Sequence, residues 1–121
     1  MKKYISLLLL ASFLFACTKE GPGGKATIKG AVMHHTKLIP GTVVYIKYGA
    51  TESPGKSPSN YDASVTSDAS ANYKFESLQK GHYYLYGIGF DSTISLPVSG
   101  GIPVEIKDAS GTVSTNVPVT E

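Results

Sequence analysis

The adjacent pair His34-His35 is the first place to look for chemistry, because imidazoles converging with a carboxylate or thiolate make a zinc site. Successive residues of a strand point to opposite faces, and His82 is the one further imidazole. The pair therefore reads as a polar hairpin turn, and no metal is expected. Catalysis would need a nucleophile elbow, an HExxH helix or a glycine-rich phosphate cradle, and the chain contains none of them. Ser, His and Asp are present as in any chain. A hydrolase of unrecognised type would show itself as a deep pocket holding a His against a carboxylate. No catalytic residue, no cofactor and no enzymatic activity are expected.

The tyrosines carry more signal. In HYYLYGIGF, alternation sends Tyr83 and Leu85 inward and Tyr84, Tyr86 and Phe90 outward. In TVVYIKY the same logic places Tyr45 outward, opposite Val44 and Ile46. An exposed tyrosine suits a sugar or a protein partner, because its ring stacks while its hydroxyl hydrogen-bonds. Tyr45, Tyr84, Tyr86 and Phe90 thus form a candidate binding face, unless the tether or a loop covers it. Beside it, residues 50–64, ATESPGKSPSNYDAS, read as a long exposed loop. Loops of this kind often carry binding residues, so Ser57, Asn60, Tyr61 and Asp62 form a candidate binding loop.

Strands must position these residues. KATIKGAVM, TVVYIKY, NYKFESL, HYYLYGIGF, IPVEIK and TVSTNVPV all alternate with period two and are rich in Val, Ile, Thr and Tyr. Turn signals separate them at Pro40-Gly41, Ser53-Pro54-Gly55, Lys80-Gly81, Ser99-Gly100-Gly101 and Ser110-Gly111. No helical stripe is sustained beyond the first residues. Short strands at this spacing predict an all-β sandwich of about seven strands. Pro118 sits where an edge strand tolerates it.

The start of the chain has the layout of a targeting segment. Met1, Lys2 and Lys3 lead an apolar run over residues 5–16. A charged head with an apolar segment of about 7–15 residues is the layout of a secretory signal. The run falls short of the roughly 18 apolar residues a spanning helix needs. Leu14, Phe15, Ala16 and Cys17 resemble the lipobox of bacterial lipoproteins, with Phe15 where a small residue is usual. The resemblance implies cleavage before the lone cysteine and lipid attachment to Cys17. Several acyl chains, at about 0.8 kcal/mol per buried CH₂, would hold the protein on a membrane. Residues 1–16 are then the signal, 17–24 the lipidated cysteine and a flexible tether, and 25–121 the sandwich domain. Thr18, Lys19 and Glu20 faintly resemble the export signal of surface lipoproteins in Bacteroidetes, with one acid where two are usual. An outer-membrane, surface-exposed location is the expectation.

Loss of the leader removes two of the 11 basic residues, all of them lysine, leaving nine against nine acidic residues. A neutral domain without arginine is poorly suited to nucleic acid, which needs a basic face.

GAVMHHTKLIPGTVVYI and TSDASANYKFESLQKGHYYLYG resemble the carboxypeptidase regulatory-like domain, of the transthyretin-like or prealbumin-like group. Gly30, Val32, Pro40, Gly41 and Val44 fit its opening; Thr66, Asp68, Tyr73, Phe75, Leu78, Gly81, Tyr83 and Leu85 fit its middle. The resemblance implies an Ig-like Greek-key sandwich and is nearly silent on function. Asp68 is expected to bind amides in its turn, and Asn72, in place of the usual Gly, to supply the left-handed turn residue. The hydroxyisourate hydrolases of that group end in Tyr-Arg-Gly-Ser, whereas this chain ends VPVTE. The sequence as a whole points to a lipid-anchored, non-enzymatic binding or structural module of the cell envelope. Its partner would be a glycan, as in a polysaccharide-uptake system, or another envelope protein.

Overall fold

A computed structural model describes residues 19–121, so the leader, Cys17 and the lipobox lie outside the described residues. Among the described residues nine strands follow one another: β1 (Pro22–His34), β2 (Lys37–Leu38), β3 (Val43–Tyr48), β4 (Ala63–Thr66), β5 (Asn72–Leu78), β6 (Gly81–Asp91), β7 (Leu96–Ile106), β8 (Thr112–Ser114) and β9 (Val117–Pro118). A 3₁₀ turn, Pro58–Asn60, interrupts the loop between β3 and β4.

The strands form two sheets. In the first, β1 is central: β5 and β2 pair with it antiparallel, β8 and β9 in parallel. The second runs β4-β3-β6-β7, all antiparallel. The chain crosses between the sheets after β2, β4, β5 and β7, so each layer is built from non-consecutive strands. This is the expected all-β sandwich, with nine strands rather than about seven, because the two-residue β2 adds one and the last run, TVSTNVPV, divides into β8 and β9.

Alternation puts one row of each strand into the core. Ile28 and Val32 of β1, Tyr73 and Phe75 of β5, Val44 and Ile46 of β3, and Tyr83 and Leu85 of β6 are all buried. Burying one such side chain contributes roughly 1.5–3 kcal/mol. The outward row of β3, β6 and β7 stays on the far face, with Tyr45 opposite Tyr86 and Tyr86 opposite Gly101 across the strands.

Four expectations need correction. Residues 20–24 are not a free tether: β1 begins at Pro22, and Gly21 is buried beneath the Tyr83 hydroxyl. The long loop ends two residues early, because Ala63 and Ser64 already pair with β3. Ser99-Gly100-Gly101 is not a turn but lies inside β7, where Gly100 and Gly101 give room to Pro118 and to the Tyr84 ring. The turn before β5 does use the Asp68 carboxylate, which accepts the Ser70 and Asn72 amides at 2.9 Å. Its left-handed residue, however, is Ala71 (φ 65°), and Asn72 opens the strand.

Candidate functional site

The second sheet's outer face and the loop of residues 49–62 meet at Tyr61. Its ring stacks on Tyr86 with centroids 5.7 Å apart and planes at 12°, and tilts against Tyr45 at 5.8 Å. Tyr45 and Tyr86 are direct cross-strand partners, so the three rings form one cluster. Tyr84, half-buried, stands in the next row between Lys47 and Pro103. Two of the outward tyrosines are therefore partly roofed by a third. Tyr86, expected to be exposed, is only 7% exposed, and the accessible aromatic surface belongs to Tyr45, Tyr61 and Tyr84.

The loop is built from its own polar groups. The Tyr61 hydroxyl donates to Gly55 O at 2.8 Å, Asn60 Nδ2 to Pro54 O at 3.0 Å, and the Ser57 and Ser59 hydroxyls bond each other at 2.9 Å. Asp62 accepts the Tyr48 amide at 2.8 Å and faces Lys47 Nζ at 3.5 Å. Asn60 and Asp62 thus hold the loop's shape, while Tyr61 joins it to the face. Burial pushes the Tyr61 phenol above its ordinary pKa, which keeps its hydroxyl a donor at neutral pH.

Phe90 is not gathered in. It shares the outer face with Tyr86 but lies four residues further along β6, about 13 Å away at 3.3 Å per residue. There it is 56% exposed, near Ile94 and Leu96 at the β6–β7 turn.

A second cluster was not anticipated. His34 is no exposed turn residue: it is 5% exposed and ends β1 in phase with Ile28 and Val32. Its Nδ1 lies 2.9 Å from Asp91 Oδ2. Asp91, in phase with Tyr83 and Leu85 on β6, is 1% exposed. Asp91 also binds Lys37 Nζ at 2.9 Å and the Thr93 hydroxyl at 2.6 Å. The hydrogen bond with His34, then those from Thr93 and Lys37, hold its carboxyl far below the usual range against the opposing effect of burial. Glu121 Oε2 is 2.5 Å from His34 Nε2 but out of line with a ring N–H, so Nε2 makes no aligned hydrogen bond.

His35 adopts φ 57°, so it leaves the strand and brings its ring to within 4.6 Å of the His34 ring. The reason for setting the pair aside, opposite faces of a strand, does not hold at this position. Phase with the core was the available signal: His34 and Asp91 both fall on inward positions, where a charge must be partnered.

Elsewhere, an open groove between β4 and β5 is lined by Lys29, Thr66, Asp68, Tyr73 and Lys74 and contains no histidine. No helix among the described residues is long and apolar enough to cross a membrane.

No family model matches the chain, and no curated protein matches it. Among solved structures, it is similar to a Pseudomonas aeruginosa protein described as a proposed carbohydrate-binding protein. The TM-score is 0.55 over 82% of this chain and 91% of that one, at 11% sequence identity. That likeness establishes the class, an all-β sandwich.

Proposed function

We propose that this chain is a non-enzymatic binding module of the cell envelope that holds a carbohydrate on its tyrosine face. The observation that carries this reading is the Tyr45, Tyr61 and Tyr86 cluster beside Tyr84, where a structured loop meets the outer face of the second sheet. Sugar rings carry apolar C–H faces that stack on aromatic rings, and their hydroxyls take hydrogen bonds from phenols. The likeness to a proposed carbohydrate-binding protein adds support at the level of fold.

The hydrolase alternative asked for a His against a carboxylate in a deep pocket. His34 and Asp91 supply the contact, but the free nitrogen of His34 faces Glu121 rather than a nucleophile. The envelope location rests on the leader and the lipobox-like Leu14, Phe15, Ala16 and Cys17. The same reading places the domain on the outer surface of a Bacteroidetes-like bacterium, with the carboxypeptidase regulatory-like resemblance as its family frame.

Glycan-array binding, followed by calorimetry on the best ligand, tests the proposal. Tyr84→Ala and Tyr61→Ala should each weaken binding by about tenfold or more, as loss of one stacking ring implies. Equal binding by wild type and both variants would defeat it. Protease digestion of intact cells, with Cys17→Ser as the anchoring control, tests location: the wild-type domain should be digested on whole cells and the variant released into soluble fractions.

A further inference from the structure

We propose that His34, His35 and Glu121 form a binding site for a zinc ion, with Asp91 orienting His34 from behind. The inference stands independently of the carbohydrate reading. Its centre is His34 Nε2, a buried nitrogen with no aligned hydrogen-bond partner. Such an atom is costly unless something else satisfies it. Asp91, an ionised carboxylate, accepts a hydrogen bond from Nδ1–H at 2.9 Å, which in a neutral ring leaves the lone pair on Nε2. The nearest carboxylate oxygen, Glu121 Oε2, lies 2.5 Å away but off the axis of that lone pair. A lone pair and a carboxylate oxygen that close repel unless a proton on Nε2 or a metal ion bound beside both atoms balances them.

The other donors converge on the same place. One ligand atom from each of His34, His35 and Glu121 lies within 4.8 Å of the others. Two atoms bound to one tetrahedral zinc at about 2.0–2.2 Å sit about 3.4 Å apart. The set must therefore close by up to about 1.4 Å, and Glu121 must swing off Nε2 to make room. His35 and Glu121 are both exposed and free to turn, whereas His34 is fixed.

The outer ring of contacts fits the same use. A carboxylate on the far nitrogen of a ligating histidine fixes its tautomer and raises its basicity. Asp91 is itself held by Lys37 and by the amide and hydroxyl of Thr93. Lys37 balances Asp91, so Glu121 supplies the negative charge at the ion. Two imidazoles and one carboxylate suit zinc rather than calcium or magnesium, which prefer all-oxygen shells. A water would complete the tetrahedron.

The test uses the full protein stripped with chelator, zinc calorimetry, and cobalt(II) visible spectra as a geometric readout. His35→Ala and Glu121→Gln alter exposed residues, and circular dichroism with melting checks that the fold stays intact. His82→Ala is the control, because His82 Nε2 and Glu105 make a separate surface pair at 3.9 Å. One zinc per chain is expected, at least about tenfold weaker in either site variant and unchanged in the control. Tetrahedral cobalt bands should disappear in the double variant. Absence of binding at about 1 mM zinc, a Kd regime of negligible affinity, would overturn the site. So would undiminished binding by the double variant.

Discussion

Tyr61 of the β3–β4 loop stacks on Tyr86 of β6 with ring centroids 5.7 Å apart and planes 12° from parallel. It is the contact that lays the middle of a 14-residue connection, residues 49–62, on the sheet behind it, while Asp62 bonds the loop's end to β3. The bonds of residues 54–60 are internal to the loop, so Tyr61 decides whether that stretch lies on the face or swings free between its anchored ends. Tyr61→Ala should expose Tyr86 and speed proteolytic cleavage within the loop. It should lower stability by about 1–3 kcal/mol, from lost burial and an aromatic pair worth about 0.5–1.5 kcal/mol. Tyr61→Phe keeps the stack and loses only the bond to Gly55 O, so its cost should stay near about 1 kcal/mol. Equal cleavage rates for wild type and Tyr61→Ala would show that the stack does not hold the loop.

The Tyr83 hydroxyl is the corresponding tie for the start of the domain. It accepts the Gly21 amide at 2.9 Å and donates to Gln79 O at 2.5 Å, while Gln79 N donates to Gly21 O at 2.8 Å. Tyr83→Phe leaves a buried N–H and a carbonyl without their partner, a loss of about 1–3 kcal/mol. Chemical denaturation should show that loss. Hydrogen exchange should show faster opening at residues 20–24 than in β6. Uniform loosening across the domain would mean that the hydroxyl serves the core as a whole.

Stability should fall in acid partly through Asp91. Its folded-state pKa is depressed by the His34 hydrogen bond first, then by Thr93 and Lys37. The unfolded chain binds a proton near an aspartate's ordinary value of about 3.9. Above that pH the contribution is complete, and it is lost as pH falls towards the folded value. Asp91→Asn cannot ionise, so the stability gap between wild type and variant should be widest near about pH 6 and narrow towards about pH 2. Glu20, also depressed by backbone hydrogen bonds, is common to both proteins and cancels in the comparison. A gap constant with pH would mean that the Asp91 charge does not matter to folding.

Much of the sandwich was legible because period-two alternation and turn residues are local. Tyr83 and Leu85 fell inward as the pattern required, and the Asp68 turn formed as its sequence implied. The failures share a cause: the deciding partner lay far away in sequence. Gly100 and Gly101 look like a turn until Pro118 and Tyr84 are placed against them. Tyr86 looks exposed until Tyr61 is laid over it. His34 and Asp91, 57 residues apart, meet only when β1 and β6 are stacked face to face. His35 escaped strand geometry through a left-handed φ that no Gly or Asn announces.

Gly30 puts this distinction to a test. A Cβ there would stand 1.7 Å from Thr115 O, on the segment linking β8 to β9. Thr115 also donates its amide to Lys29 O and accepts the Tyr73 hydroxyl at 2.5 Å. Gly30→Ala must push that segment away, so it disturbs β8, β9 and Tyr73 together. Overpacking of this kind typically costs about 1–3 kcal/mol, and the lost hydrogen bonds add to it. Gly41 is the contrasting case. Nothing lies within 4 Å of its would-be Cβ, but its φ is +71°. Gly41→Ala should therefore cost only the left-handed penalty, about 1–2 kcal/mol, with no change in hydrogen exchange at β8 or β9. Gly30→Ala should show the larger loss of stability and selective deprotection of residues 112–120. If both variants lose the same stability with unchanged exchange in that stretch, the close crossing at Gly30 is not what holds β8 and β9 against β1.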